Sequence, residues 1–259
     1  MIDDEAAIGE VKLLFDAVAG MLGRVPNSYR VLARVPFVSK FLLPFNGVIQ
    51  REGAGSLLTS RIKEMVIIKT SHINACKYWF AHNSSLGQAA GITETLAAEI
   101  GTDQYLDSES FSNREKMAIL WAEHVTLNTA KNNNGVFERV RKEFSEEEIV
   151  ELTLMSGYFN FFNRFMDSLR IPLESQEEIN KIKRSVHLDP AKVRTYLEKL
   201  VSAWPTNIPG PNPDWIRIDK IWIFFFQFCF RANILAARDA SFSNEAAIFD
   251  NFSHPTWSF

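Results

Sequence analysis

The sequence predicts an all-α fold, and three observations support this prediction. Apolar residues in the first segment recur at spacings of three and four, which is typical of an amphipathic helix. Ser112 and Ser145 are each followed three residues later by a glutamate, the pattern of a capping box at a helix start. No stretch shows the sustained alternation of apolar and polar residues that a half-buried strand requires.

The first three helices are predicted over residues 5–21, 27–33 and 36–49. The first carries its apolar stripe at Ile8, Val11, Leu14, Phe15, Val18 and Leu22. Pro26 is expected to end this helix, because proline has no amide hydrogen to continue the hydrogen-bond ladder. Pro36 suits the first position of the third helix, where an amide donor is not needed.

The next three predicted helices follow a loop that contains two glycines. Ser60 is predicted to cap the fourth helix, because its hydroxyl can accept a hydrogen bond from a free backbone amide. Asn74 is predicted to cap the fifth, over residues 75–90, and Gly91 ends it as the usual left-handed residue. A short helix over residues 93–100 ends in the same way at Gly101.

The capping boxes begin helices predicted over residues 112–129 and 145–169, and further helices are predicted over 174–186 and 190–201. Residues 1–200 are therefore expected to form one helical domain. Residues 201–259 form an extension, with a proline-rich loop over 204–213 and an aromatic run over 221–230. That run is too short to span a bilayer, which needs about 20 apolar residues.

Composition indicates a soluble globular protein, since 46% of the residues are apolar and 23% are charged. The net charge is −3, and the sequence has no clustered basic patch of the kind that nucleic-acid binding or a polybasic membrane anchor would need. The acidic start shows no signal peptide, so a cytoplasmic location is expected. Cys76 and Cys229 lie far apart, so no disulfide framework is implied.

Reactive side chains concentrate in residues 60–91, which hold Glu64, Cys76 and two histidines. If Asn74 caps its helix, Cys76 lies in the first turn, where free amides favour the nucleophilic thiolate. The alternative is that Cys76 is a small buried apolar residue. No paired metal-ligand motif is present, so neither a metal nor a cofactor is predicted.

Glu64 stands in an apolar run, where burial would raise the pKa of its carboxyl group and suit it to proton transfer near neutral pH. The alternative is a surface glutamate beside Lys63. His82 is a candidate proton relay, and Tyr78 lies one turn earlier on the same helix face. His82 can also be a structural histidine, and His72 can approach the site from just before the cap.

The pattern of Glu64, Cys76, Tyr78 and a histidine, in a helix that ends at Gly91, resembles the carboxymuconolactone decarboxylase and alkylhydroperoxidase D superfamily. Three later segments resemble it too: REKMAILWAEHVT (114–126), FSEEEIVELT (144–153) and YFNFFNRFMDSL (158–169). The resemblance covers about residues 35–175. It implies an alkylhydroperoxidase D-like helical bundle that forms homo-oligomers, with its active site near a helix start.

By position, the resemblance implies that Glu64 is a relay acid, Cys76 the retained cysteine and His82 the relay base, with Tyr78 beside them. Two positions depart from the family. Trp79 replaces the second cysteine, and Asn83 stands where the usual histidine would be. Four residues are predicted to line the substrate pocket: Trp79, His72, Asn83 and Phe161.

Three functions follow from this reading. The first is a peroxidase, an oxidoreductase in which Cys76 reduces a hydroperoxide and an external thiol or Cys229 resolves the sulfenic acid. The second is a cofactor-free lyase, decarboxylase or isomerase on a small organic acid, with proton exchange by Glu64 and His82. The third is a non-enzymatic binding or assembly protein that keeps the fold.

Overall fold

The computed structural model describes residues 1–181 and 186–211, and within these ranges the chain is all-α, as predicted. The described residues contain eleven α-helices, three short 3-10 turns and one isolated bridge between Glu52 and His187. The helices are α1 (Gly9–Leu22), α2 (Asn27–Leu32), α3 (Pro36–Gln50), α4 (Ser60–Ile73), α5 (Lys77–Ala89), α6 (Glu94–Gly101), α7 (Asn113–Thr126), α8 (Asn134–Arg141), α9 (Glu146–Ser168), α10 (Gln176–Asn180) and α11 (Pro190–Ser202).

Helix α4 lies at the centre of the bundle and packs against α5, α6, α7 and α9. Its residues are buried on nearly every side, including the charged Lys63, Glu64 and Lys69. One large apolar cluster contains Leu14, Val66, Leu152 and Phe159, among others. The fold therefore places several charged side chains at a depth where each needs a polar partner.

Local signals set several helix ends as predicted. Both capping boxes are present, because Ser112 and Ser145 accept hydrogen bonds from the backbone amides of Glu115 and Glu148, and the two glutamates bond back. Gly91 adopts a left-handed backbone with φ of 80°, two residues after the end of α5. These ends depend on residues three or four positions apart, which a sequence displays directly.

The cap predicted for α4 is wrong by one residue, and the cap predicted for α5 by two. Thr59 caps α4, accepting from the amide of Ile62, whereas Ser60 is the first helical residue and its hydroxyl donates to the Val186 carbonyl. Asn74 ends α4 instead of starting α5. The chain turns at Ala75, with φ of 55°, and Cys76 occupies the N-cap position of α5.

Helix α1 begins four residues later than predicted, at Gly9, and Ile8 is 79% exposed. It ends at Gly23, a left-handed residue, before Pro26 is reached.

Helix α8 is absent from the prediction, because Asn133 caps it from within an asparagine-rich segment that resembles a loop. The predicted helix over 174–186 is observed only as α10, and residues 182–185 lie outside the described ranges.

The contacts divide the chain into a unit of residues 1–204 and a unit of residues 205–259. Residues 205–211 of the second unit are irregular. The aromatic run over 221–230 and Cys229 lie outside the described residues. Among the residues that are described, none of the helices has the length and apolar character needed to cross a membrane.

Candidate functional site

Glu64 lies at the centre of a buried polar network that joins α3, α4 and α5. Its side chain is buried because α4 is packed on all sides, and the residue is only 1% exposed. Gln50, the last residue of α3, donates from Nε2 to Glu64 Oε1 at 3.5 Å and to Asn83 Oδ1 at 2.9 Å. Glu64 Oε2 has no hydrogen-bond partner among the described residues.

Burial raises the pKa of Glu64 to about 8, because the apolar surroundings disfavour the charged carboxylate. The positive charge of Arg51 and the hydrogen bond from Gln50 act in the opposite direction but do not overcome burial. Glu64 is therefore a carboxyl group that can give or take a proton near neutral pH. The alternative of a surface glutamate is excluded.

Arg51 provides the positive charge of this network, and the sequence analysis missed it. The residue is buried directly after α3, and its Nη1 donates to Gln50 Oε1 at 3.1 Å. Burial lowers the pKa of Arg51, whereas the nearby Glu64, Tyr29 and Tyr158 favour its charged form. Gln50, Arg51 and Tyr158 lie outside the cysteine-containing stretch, so no local pattern pointed to them.

Lys63 and Glu151 hold the loop that carries Arg51. Lys63 is fully buried, and its Nζ donates to the Arg51 carbonyl at 2.8 Å and lies 3.6 Å from Glu151 Oε1. Glu151 also accepts from the backbone amides of Leu57 and Leu58 at 2.7 and 3.3 Å. Burial lowers the pKa of Lys63 to about 8.

His82 belongs to a different network, so the predicted relay between Glu64 and His82 is not assembled. His82 Nδ1 lies 2.8 Å from the Tyr78 carbonyl oxygen, and Nε2 lies 2.8 Å from Arg24 Nη2 and 3.1 Å from Glu174 Oε2. The Tyr78 ring stacks on the imidazole, with 4.3 Å between centroids. Adjacent residues of a helix point about 100° apart, and it is Asn83 that joins the Glu64 network, through Gln50.

Cys76 does not have the thiolate character that its helix position predicts. The residue is 1% exposed, and burial raises the pKa of the Cys76 thiol to about 11. The backbone amides of Trp79 and Tyr78 lower this pKa, as expected at a helix start, but the carboxylate of Asp167 raises it further. The expectation of an activated thiolate is therefore wrong, because burial outweighs the helix amides.

The structure separates the four residues predicted to line a pocket. Asn83 lies in the Glu64 network, and its Nδ2 donates to the Trp79 carbonyl at 2.8 Å. Trp79 is buried edge-on against Phe159 and Phe162, with centroids 5.2 and 5.4 Å away. His72 is exposed, against Gly101 and Phe80, and contributes to neither network.

Phe161, the fourth, is 48% exposed on α9. It lies beside Tyr158, with 6.2 Å between their ring centroids. Within residues 1–181 and 186–211, no group of three histidine, cysteine or acidic side chains is placed to hold a metal ion.

Comparisons with known proteins agree with this architecture. No protein-family model matches the chain. The uncharacterized protein YdfG of Bacillus subtilis is 27% identical over 110 residues, which are 42% of this chain and 74% of YdfG.

Two solved structures are similar at low sequence identity. An uncharacterized peroxidase-related protein from Ralstonia eutropha, described as an alkylhydroperoxidase AhpD core, superimposes with a TM-score of 0.57 at 20% identity, over 70% of this chain and 93% of that one. The debrominase Bmp8 gives a TM-score of 0.51 at 16% identity, over 66% and 90% of the two chains.

Proposed function

Because the chain has the alkylhydroperoxidase D-like fold, we propose that it is an enzyme for a small molecule and that Glu64 transfers the proton in its reaction. The reaction class that fits is a cofactor-free lyase, decarboxylase or isomerase acting on a small organic acid. The observation that carries the proposal is Glu64 itself, a buried carboxyl group with one oxygen atom unpartnered and a pKa of about 8.

The groups around Glu64 fit an acid substrate. Arg51 supplies a buried positive charge close to Glu64 and Tyr158, and the Tyr158 hydroxyl has no hydrogen-bond partner among the described residues. Tyr158 contacts Phe45, with ring centroids 4.9 Å apart, and Phe45 is partly exposed on α3. Phe45 and Phe161 are the exposed rings beside Tyr158, and we propose that the substrate approaches past them.

In a decarboxylation at this site, the bond between the substrate carbon and its carboxylate breaks, carbon dioxide leaves, and the electron pair of the broken bond stays on the substrate carbon. The protonated carboxyl group of Glu64 then donates its proton to that carbon, and solvent returns a proton to Glu64. Gln50, which also donates to Asn83, keeps the carboxyl group oriented through its amide contact with Glu64. Since a pKa of about 8 leaves Glu64 mostly protonated at neutral pH, the donor is ready without a cofactor.

Replacing Glu64 by glutamine is expected to reduce turnover about 10²- to 10⁴-fold, the usual contribution of a positioned proton donor. Small aromatic and aliphatic carboxylic acids and lactone acids are screened with the wild-type protein, and the variant is measured on the acid that turns over. The wild-type rate is expected to fall above about pH 8, as Glu64 ionises.

Glu94→Gln provides the matched control, because Glu94 is exposed at the start of α6. A Glu64→Gln variant that keeps the wild-type rate within a few-fold would contradict the assignment. Circular dichroism spectra of both variants separate a loss of folding from a loss of chemistry.

Hydroperoxide reduction through Cys76, with an external thiol or Cys229 as the second thiol, is the alternative function. It is supported by the solved neighbours, which are described as peroxidase-related. The raised pKa of Cys76 and the presence of Trp79 at the second cysteine position weigh against it.

In a Cys229→Ser background, we expect iodoacetamide to label Cys76 slowly at neutral pH and cumene hydroperoxide to leave that rate unchanged. The reason is that the thiol, whose pKa is about 11, is buried and protonated. The labelling rate is followed from pH 6 to pH 10, with the Cys76→Ser, Cys229→Ser double variant as the blank. Fast labelling that hydroperoxide blocks would favour the peroxidase instead.

The homo-oligomer and the cytoplasmic location stay predictions. A surface suited to self-association lies across α3 and α9, where six large apolar side chains are exposed: Val38, Phe41, Phe45, Val150, Leu154 and Phe161. Exposed apolar surface of this kind is typical of protein contacts. It adjoins the proposed substrate entrance, because Phe45 and Phe161 belong to both.

A further inference from the structure

The second buried network surrounds the carboxylate of Glu174, which lies in the segment between α9 and α10. Glu174 Oε1 accepts from Arg24 Nη1 at 3.1 Å, from the backbone amide of Asn27 at 2.6 Å and from the Tyr78 hydroxyl at 3.0 Å. Oε2 lies 3.1 Å from His82 Nε2. We propose that these groups form a carboxylate-binding site, that Glu174 is its internal ligand, and that a small monocarboxylic acid binds there when Glu174 is withdrawn.

The donors around Glu174 suit a carboxylate. A guanidinium, a backbone amide and a phenol donate to one oxygen atom, whereas the other oxygen atom lies 3.1 Å from His82 Nε2 and has no hydrogen-bond partner among the described residues. Arg24, Tyr78 and His82 are all buried, so their hydrogen bonds are little weakened by water. Burial raises the pKa of Glu174, but His82, the backbone amide of Asn27 and the charge of Arg24 together lower it to about 2.

The donors are held in place without Glu174. The His82 ring is held by two contacts, since Nδ1 lies 2.8 Å from the Tyr78 carbonyl oxygen and Nε2 lies 2.8 Å from Arg24 Nη2. The Ser28 amide donates to the Tyr78 hydroxyl at 3.2 Å. Removal of the Glu174 side chain therefore leaves a preorganised set of donors that another carboxylate can satisfy, and preorganisation favours binding.

A cleft borders the cluster at Arg24. The cleft encloses about 560 Å³, and Arg24 lines it together with Asp4, Lys12, Phe15, Asp16, Arg30, Glu178 and Lys181. Its exposed cations are paired with acids, as in Arg30–Asp4, Lys12–Asp16 and Lys181–Glu178. Arg24 links the cleft to Glu174 and offers a buried positive charge at its wall.

Glu174 is tethered to the site, so its effective concentration is at the millimolar level or above. A free acid at a few millimolar is therefore not expected to displace it from the wild-type protein. The site responds to free acids when residues 169–175 move away or when Glu174 is removed. This inference does not depend on the proposed role of Glu64, which belongs to the other network.

The test is carboxylate rescue of a Glu174→Ala variant. Melting temperatures are measured at pH 7 in sodium formate, acetate or benzoate and in sodium chloride of equal ionic strength. We expect the acids to raise the Tm of Glu174→Ala by about 2–6 °C over chloride. The wild-type protein and a Glu177→Ala control, which removes an exposed carboxylate of α10, are expected to give no such difference.

Two further variants define the site. Glu174→Gln fills the same space with a neutral amide and is expected to show no rescue, and Arg24→Ala added to Glu174→Ala is expected to abolish rescue. If Glu174→Ala precipitates, its refolded soluble yield in acetate against chloride gives the same readout. If the Tm or the refolded soluble yield of Glu174→Ala is the same in carboxylate as in chloride, the proposal is overturned.

Discussion

Replacing Glu64 by glutamine is expected to stabilise the protein at pH 8 relative to wild type, by a few kcal/mol. The folded pKa of Glu64 is about 8, whereas the ordinary value is 4.5. Between these two values the folded state retains a proton that the unfolded state has lost. The stability that this proton contributes is present in full below pH 4.5 and is lost as pH rises to 8.

Glutamine mimics the protonated carboxyl group at every pH, so the variant lacks this dependence. The measurement is urea unfolding of both proteins at pH 5 and pH 8, with Glu94→Gln as the exposed control. The free energy of unfolding of Glu64→Gln, relative to that of wild type, is expected to be higher at pH 8 than at pH 5. If the difference is the same at both pH values, Glu64 does not titrate in this window.

Glu151→Ala is expected to destabilise the protein by about 3–5 kcal/mol. The change leaves Lys63 buried without its carboxylate, and the amides of Leu57 and Leu58 lose their acceptor. A buried charge without a partner is costly, because the interior cannot replace the water that it gave up. The free energy of unfolding is measured in urea at pH 7.

Glu146→Ala is the matched control, because it removes an exposed carboxylate from the first turn of the same helix. The double variant Lys63→Met, Glu151→Leu is expected to recover much of the loss, since it removes both charges together. If Glu151→Ala lowers the free energy of unfolding no more than Glu146→Ala does, the Lys63–Glu151 pair contributes little to stability. The loop that carries Arg51 would then be held by other contacts.

The sequence by itself determined the fold class and most helices, because these depend on local signals. The capping boxes at Ser112 and Ser145 and the left-handed Gly91 satisfy backbone groups only a few residues away. For Glu64 the sequence left two alternatives open, because the apolar run around it favours burial whereas Lys63 beside it favours the surface. The cap of α4 was predicted at Ser60 instead of the adjacent Thr59, because both side chains can accept the same hydrogen bond.

The tertiary structure alone decided which side chains meet. Gln50 and Arg51 reach Glu64 from the end of α3, and Glu174 reaches His82 from almost a hundred residues away, distances that no local pattern encodes. The protonation state of Cys76 was decided in the same way. Its position at the start of α5 favours a thiolate, but packing and Asp167 disfavour the charge. Helix formation is local, whereas burial and charge pairing depend on residues that only the folded chain brings together.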